Sequence, residues 1–184
     1  MTRHSDSRLR STVIRVEFVA LLAALALFLS TVEYLIPKPV PFMRIGLANL
    51  PLIIGLGLLH EREYLLLALL KILGQGLVTG TIFSYIILFS FGGTVSSAFI
   101  MFLLYRYGRR YVSLVGISIA GAMASNITQL QLSRVILFGD AARFIAPPFL
   151  MVGFATSIVL GLFAERFVSR SSWYAEHAQQ EHLA

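Results

Sequence analysis

The chain has 184 residues, of which 57% are hydrophobic and only 13% are charged, and its formal net charge is +6. Soluble domains contain about 25% charged residues, so this composition indicates an integral membrane protein. The absence of cysteine excludes disulfides, thiolate metal sites and cysteine nucleophiles. The basic residues lie in short clusters between apolar runs, which is typical of membrane topology and not of a nucleic-acid-binding face.

Six apolar segments predict an all-α integral membrane protein, a compact bundle of six transmembrane helices. The bundle is expected at residues 13–168, between an N-terminal tail at 1–12 and a C-terminal tail at 169–184. A membrane helix needs about 20 residues, so the short second and third segments should be tilted, broken or extended by their flanks. Pro147 and Pro148 are expected to begin the last helix. The segments cover residues 13–36, 46–59, 64–79, 82–105, 112–138 and 147–168.

The basic residues at the ends of these segments and between them are divided unequally between the two sides of the membrane. Cytoplasmic loops carry the excess of lysine and arginine, so both termini are predicted to be cytoplasmic and the chain to lie in the cell membrane. The side that holds both termini has Arg3, Arg8, Arg10, Arg15, Arg62, Arg106, Arg109, Arg110, Arg166 and Arg170. The other side has only Lys38, Arg44 and Arg143.

Lys71 stands in the middle of an almost wholly apolar run, LALLKILGQG. It lies nine residues beyond Arg62, about 13 Å into the membrane. A charged side chain at that depth costs roughly 3 kcal/mol or more and usually has a function. Lys71 is predicted either to contact an anionic ligand or to pair with Glu33 or a backbone carbonyl. Residue counts place Lys71 and Glu33 about 12 Å apart in depth, which disfavours a direct pair.

Further polar residues lie in the outer half of the predicted bundle. Their positions on the first, second, third and fifth helices predict a pocket that opens to the outside and takes a small molecule with hydrogen-bonding edges. For Asn126 and Gln129 the alternative is a structural role, because amides commonly join transmembrane helices. The candidate ligand-binding residues are Glu33, Asn49, Lys71, Gln75, Asn126 and Gln129.

The segment PKPVPFMRIGLAN (37–49) joins the first two helices over this pocket. Its alternating prolines favour an extended, stiff conformation. It is expected to act either as a lid or as a simple connector, and Arg44 either captures an anion or marks the membrane interface.

Small residues recur at four-residue steps on two helices, in a pattern that lets helix backbones approach closely. Ala20 and Ala24 form such a step on the first helix, and Gly153, Ser157 and Gly161 on the last. Packing within the chain is the simplest interpretation.

The sequence argues against an enzyme. Aspartate occurs only as Asp6 and Asp140, so no aspartate-rich motif for a Mg²⁺-bound diphosphate is present. No Walker-type glycine loop is present for ATP hydrolysis. No catalytic residue, metal site or cofactor is therefore predicted. The small size, one-sided pocket and missing energy source point to a subunit that binds a substrate for other proteins.

The run RIGLANLPLIIGLGLLHEREYLLLALLKILGQGLVTGTIFS, with the preceding TVEYLIPKPVPFMRIGLAN and the later GAMASNITQL, resembles the Gx transporter family. That family also carries the description heptaprenyl diphosphate synthase component I, and the resemblance spans about residues 14–168. More distantly, the chain is similar to the S components of energy-coupling factor transporters. Those six-helix proteins capture vitamins or related cofactors outside the cell and dock on a transmembrane T component driven by two ATPases.

This resemblance implies a substrate-binding subunit for ATP-driven vitamin or cofactor import. S components contact the T component through an AxxxA motif, which Ala20 and Ala24 match. The resemblance transfers no individual ligand contact. The alternative is an accessory membrane scaffold for prenyl or quinone synthesis, or for flavin-based electron-transfer proteins.

Overall fold

The computed structural model describes residues 3–37 and 45–174, and this part of the chain is helical throughout apart from its turns. A 3-10 turn at Leu47–Asn49 leads directly into the second helix. The predicted lid residues 38–44, with Lys38 and Arg44, lie outside the described residues, as does the end of the C-terminal tail. The helices are α1 (Arg3–Leu35), α2 (Leu50–Gly55), α3 (Glu61–Val78), α4 (Ile86–Leu103), α5 (Leu114–Ser133) and α6 (Ala142–Arg170).

The outer surface of the bundle is apolar, as the composition predicts for a membrane protein. Large side chains such as Leu77, Phe99 and Phe163 are more than half exposed, which is the arrangement expected when lipid and not water surrounds the helices. Within the described residues, three helical stretches are long and apolar enough to cross a membrane. They are Val16–Leu35, Ile86–Gly108 and the stretch Leu114–Arg170, which contains both α5 and α6.

The second apolar segment does not form a long helix. Its α-helical part has only six residues, and α1, α3, α5 and α6 all contact it or the turn before it. All of residues 50–56 are buried. Pro51 occupies the first turn of α2, where a missing backbone N–H costs no helical hydrogen bond. The segment is therefore a plug inside the bundle, which explains why it is too short to cross the membrane and yet uniformly apolar.

The last helix begins before its two prolines. We predicted a start at Pro147, but α6 starts at Ala142 and holds both prolines inside. Proline has no N–H to donate to the carbonyl four residues earlier, so the carbonyls of Arg143 and Phe144 lack their helical donors. These carbonyls belong to the first turn, where the loss is least disruptive.

Small residues let α5 and α6 approach closely, and this confirms their predicted use in packing within the chain. Ser118 Oγ of α5 donates a hydrogen bond to the Ser157 carbonyl of α6 at 2.8 Å. A methyl group on Gly161 would lie 2.7 Å from Val115 Cα, and one on Gly153 would overlap the Asn126 side chain. The α5–α6 pair is the most extensive helix contact described.

The C-terminal tail begins by packing back on the bundle, which the sequence did not predict. Trp173 stacks edge-on against Phe18 of α1 with 5.3 Å between ring centroids. Tyr174 is buried, and its hydroxyl lies 3.5 Å from the Ile54 carbonyl, above Gly57. Because Trp173 meets Phe18, the N-terminal half of α1 and the end of α6 lie at the same end of the bundle.

Gly161→Ala should destabilise the protein by about 1–3 kcal/mol, because the added methyl group meets backbone and forces α5 and α6 apart. Gly108→Ala is the matched control, since its methyl group meets only ordinary contacts at 3.6 Å and beyond. Thermal unfolding in detergent compares the two variants. An equal melting temperature for both would contradict the close α5–α6 contact.

Candidate functional site

Five of the six predicted ligand-binding residues line one small internal cavity. They come from α1, the 3-10 turn, α3 and α5, which meet around it. The cavity volume is about 20 Å³, room for about one water molecule. An organic molecule therefore enters only if the surrounding elements move. The lining residues are Glu33, Ile45, Gly46, Ala48, Asn49, Lys71, Gln75, Thr94, Ala122, Ser125, Asn126 and Gly153.

Lys71 is buried at the cavity, with a side chain only 3% exposed. Its ammonium group donates a hydrogen bond to Asn49 Oδ1 at 2.5 Å. Asn49 is the last residue of the 3-10 turn, directly before the plug helix α2. An ammonium group in an apolar bundle needs such acceptors, because its hydration shell has been removed. The second segment thus carries a polar side chain to Lys71 within the membrane-embedded part of the chain.

Glu33 binds the backbone that returns into the bundle. Its Oε1 accepts the Ile45 N–H at 2.8 Å, and its Oε2 accepts the N–H groups of Gly46 and Leu47 at 3.1 and 2.9 Å. Gly46 has a φ of 92°, a left-handed conformation that glycine adopts without strain. Three charge-assisted hydrogen bonds make this carboxylate a strong anchor for the 3-10 turn.

The sequence predicted that Glu33 contacts a ligand, and the structure adds a second role for it as an anchor of the backbone. Both carboxylate oxygens are engaged by backbone, so the side chain shapes the cavity wall in addition to bringing negative charge to it. Lys71 and Glu33 line the same cavity, although residue counts placed them about 12 Å apart in depth. Two residues at different depths can line one cavity because both side chains are long and the 45–49 segment lies between them. Ligand contact by Glu33 stays a prediction.

A contact from α6 holds the same segment. Thr156 Oγ1 donates a hydrogen bond to the Ile45 carbonyl at 2.8 Å. The chain at 45–47 is therefore tied on one side to α1 through Glu33 and on the other to α6 through Thr156. Any opening of the cavity at this wall must break one of these two attachments.

Asn126 lines the cavity and has a buried amide nitrogen that packs against Gly153 of α6. Its side chain is 4% exposed, and its Nδ2 has no hydrogen-bond partner among the described residues. A buried amide nitrogen without a partner costs about 1–3 kcal/mol. Gln75 of α3 is also buried and lines the same cavity. Other buried side-chain atoms without a partner among the described residues include the hydroxyls of Ser30, Tyr64, Ser90 and Ser97, but Asn126 is the one of these residues that lines the cavity.

Gln129 does not line the cavity, in contrast to its predicted place among the ligand-binding residues. It lies one turn farther along α5, where its Nε2 donates to Ser125 Oγ at 3.0 Å. It packs against Gly93 of α4, where a methyl group would come within 2.5 Å of Nε2. Ser125 lines the cavity, so this hydrogen bond connects Gln129 to the cavity wall. Ligand contact by Gln129 stays a prediction.

The cavity also has polar and small residues from two helices for which no site residue was predicted. Thr94 of α4 is 4% exposed and lines it, and Gly153 of α6 admits the Asn126 side chain. The dipeptide Gly93-Thr94 in an apolar helix was the available signal for α4, since polar residues inside membrane helices face the bundle interior. No sequence signal pairs Gly153 with Asn126, because that contact depends on the helix packing.

The two alanines predicted to bind a partner lie on the outer surface of α1. Ala20 and Ala24 are exposed, whereas Ala23 and Ala26 are buried against the bundle. Val16 and Phe28 continue the same exposed row at four-residue steps and are each 63% exposed. The role in partner binding stays a prediction, and the geometry leaves this face free for lipid or for another protein.

Glu33→Gln should lower the stability of the protein by about 2 kcal/mol or more, because a neutral amide has one acceptor oxygen for three backbone donors. Glu17→Gln is the control, since Glu17 is exposed on the same helix. Thermal unfolding measures the effect, and limited proteolysis around residues 45–47 should become faster only in Glu33→Gln. Identical melting temperatures for the two variants would contradict the anchoring role.

Comparison with known proteins identifies the family but no close characterised relative. No curated protein and no solved structure matches the chain. The model of one family, described as heptaprenyl diphosphate synthase component I, matches residues 22–167. This region contains the described cavity residues and extends from α1 almost to the end of α6. Because the match covers well over half of the sequence, the chain belongs to the heptaprenyl diphosphate synthase component I family.

Proposed function

We propose that the chain is a non-catalytic membrane component that binds a small molecule in the cavity around Lys71 and works with partner proteins. The observation that carries this proposal is the convergence of Lys71, Asn49 and Asn126 on one buried cavity inside an apolar bundle. Lys71 supplies positive charge and Asn126 an unused amide donor. Both groups favour a ligand with an anionic or carbonyl oxygen.

The family description supports prenyl diphosphate synthesis as the setting of this function. In that setting the chain is an accessory membrane component, and a partner carries out the chemistry. With Asp6 and Asp140 as its only aspartates, the chain has no aspartate-rich motif for a Mg²⁺-bound diphosphate. Within the described residues, no group of three or more histidine, aspartate or glutamate side chains could hold a metal ion. A prenyl diphosphate or a smaller anionic precursor is the ligand expected here.

Import of a vitamin or cofactor is the second candidate function, and two observations favour it. The cavity is internal and polar, and the alanine row of α1 is exposed. In this setting the chain is a capture subunit for a transmembrane T component and two ATPases. Its ligand is then a vitamin-like molecule taken up from outside.

Both settings use the same proposed topology. All six helices lie in the membrane, and α2 enters it without crossing it alone. Both termini are cytoplasmic, which agrees with the excess of arginine on their side and with the Phe18–Trp173 contact that brings the N-terminal half of α1 to the end of α6. The cavity then lies nearer the outer side of the cell membrane.

Lys71→Met should abolish ligand binding and leave folding nearly intact, because methionine fills a similar space without the charge. The measurement is mass spectrometry of small molecules released from gently purified protein. Thermal-shift assays with farnesyl diphosphate and with riboflavin and thiamine accompany it. Arg62→Gln is the control, since Arg62 is exposed on the same helix and outside the cavity. A lower melting temperature of Lys71→Met without ligand, with unchanged binding, would assign Lys71 a purely structural role.

Replacing both Ala20 and Ala24 by leucine should weaken copurification of the partner at least tenfold, because two larger side chains separate closely packed helices. Ligand binding should persist, since neither residue touches the cavity. The same change at Ala155, exposed on α6, serves as control. Copurified prenyl synthase subunits would establish the first setting, and a T component with ATPases the second. Equal partner recovery from all variants would exclude this face of α1 as the docking surface.

A further inference from the structure

A second cavity lies where α5 ends and α6 begins, at the end of the bundle opposite the Phe18–Trp173 contact. Its volume is about 400 Å³, far larger than that of the Lys71 cavity, and the two share no lining residue. It combines the polar residues Gln131, Arg134, Asp140 and Arg143 with an apolar wall that includes Ile127 and Leu130.

The charges of this cavity do not cancel. Arg134 and Arg143 bring two guanidinium groups, which stay protonated, and Asp140 brings one carboxylate. Arg134 Nη2 lies 3.1 Å from Asp140 Oδ1, and both side chains are more than half exposed. Arg143 rests over the Phe144 ring, 5.0 Å from its centre. The cavity therefore presents one excess positive charge and, in Asp140, an internal competitor for any anion.

The surroundings of the two arginines are those of a membrane interface. Val135 and Phe144, each next to an arginine in the chain, are 83% and 72% exposed. Ile127, two turns before Arg134 on α5, is 52% exposed. Arginine side chains at such positions extend toward the head groups while their apolar neighbours contact acyl chains.

We propose that this cavity binds the head group of an anionic phospholipid. The phosphate accepts hydrogen bonds from the guanidinium groups of Arg134 and Arg143, which suit phosphate through their paired donors. The acyl chains follow the apolar surface of Ile127 and Phe144. A lipid is favoured over a soluble phosphate because only a lipid uses both the cationic mouth and the apolar wall.

Asp140 gives the proposal its sharpest test. Its carboxylate occupies Arg134 in the described arrangement, so a bound phosphate must compete with it. Asp140→Asn should therefore increase lipid retention, whereas Arg143→Gln should decrease it. A salt bridge that only stabilises the turn between α5 and α6 predicts no such gain.

The experiment is native mass spectrometry of the full chain in a 1:1 mixture of phosphatidylglycerol and phosphatidylcholine with identical acyl chains. Wild-type protein should retain one phosphatidylglycerol preferentially. Arg143→Gln should retain about fivefold less, and Asp140→Asn about fivefold more, as expected for one charge near a membrane surface. Arg110→Gln, an exposed arginine at the opposite end of the bundle, should match wild type.

Three results would overturn the proposal. The two lipids could be retained equally, which would indicate ordinary annular contact. Arg110→Gln could lower retention as much as Arg143→Gln, which would indicate a general effect of net charge. Inorganic phosphate at millimolar concentration could displace the lipid completely, which would indicate a site for a soluble anion. Size-exclusion profiles equal to that of wild type confirm that each variant is folded.

Discussion

The carboxylate of Glu33 is the interaction on which the internal arrangement depends. It accepts the N–H groups of residues 45–47, which would otherwise lie unpaired at the end of a helix turn inside an apolar bundle. Because these N–H groups are hydrogen-bonded, the chain can enter the bundle as the short, buried helix α2. Asn49, directly before α2, then lies within hydrogen-bond distance of Lys71. One charged residue near the C-terminal end of α1 thereby sets the position of the segment that pairs with the other, which lies in the middle of α3.

The cavity that results is nearly closed. Lys71, Asn49 and Gln75 fill much of the space between the helices, and what remains accommodates about one water molecule. Asn126 lines this space, and its unpaired amide nitrogen packs against Gly153 of α6. The Asn126 amide lost its hydration when the protein folded. A ligand that bonds to it therefore does not have to remove water from it again. A ligand still requires movement of a wall of the cavity, and residues 45–47 form one wall, attached to Glu33 and Thr156 by hydrogen bonds.

Membership of the heptaprenyl diphosphate synthase component I family and the internal cavity impose different constraints on function. The family description names a component of a synthase, and the chain has only two aspartates, Asp6 and Asp140, far apart in the sequence. The cavity concerns recognition, since a cation and amide donors inside an apolar bundle select an oxygen-rich ligand. A non-catalytic binding component satisfies both constraints, and the exposed row on α1 offers a face for a partner.

The sequence by itself determined the class of the protein and most of its polar site. Low charge content and long apolar runs require a lipid environment, and Lys71, Asn49, Gln75 and Asn126 stand out because each is costly in an apolar helix. Their side chains could be grouped because helical periodicity assigns residues to faces. Only the tertiary structure decided that α2 is an internal plug, that Glu33 binds backbone, that Gln129 lies beyond the cavity wall and that Trp173 packs on Phe18. Those outcomes depend on helix tilt, relative depth and close approach at glycines. The periodicity of the sequence shows which residues share a helix face, but it does not show which distant segments come into contact.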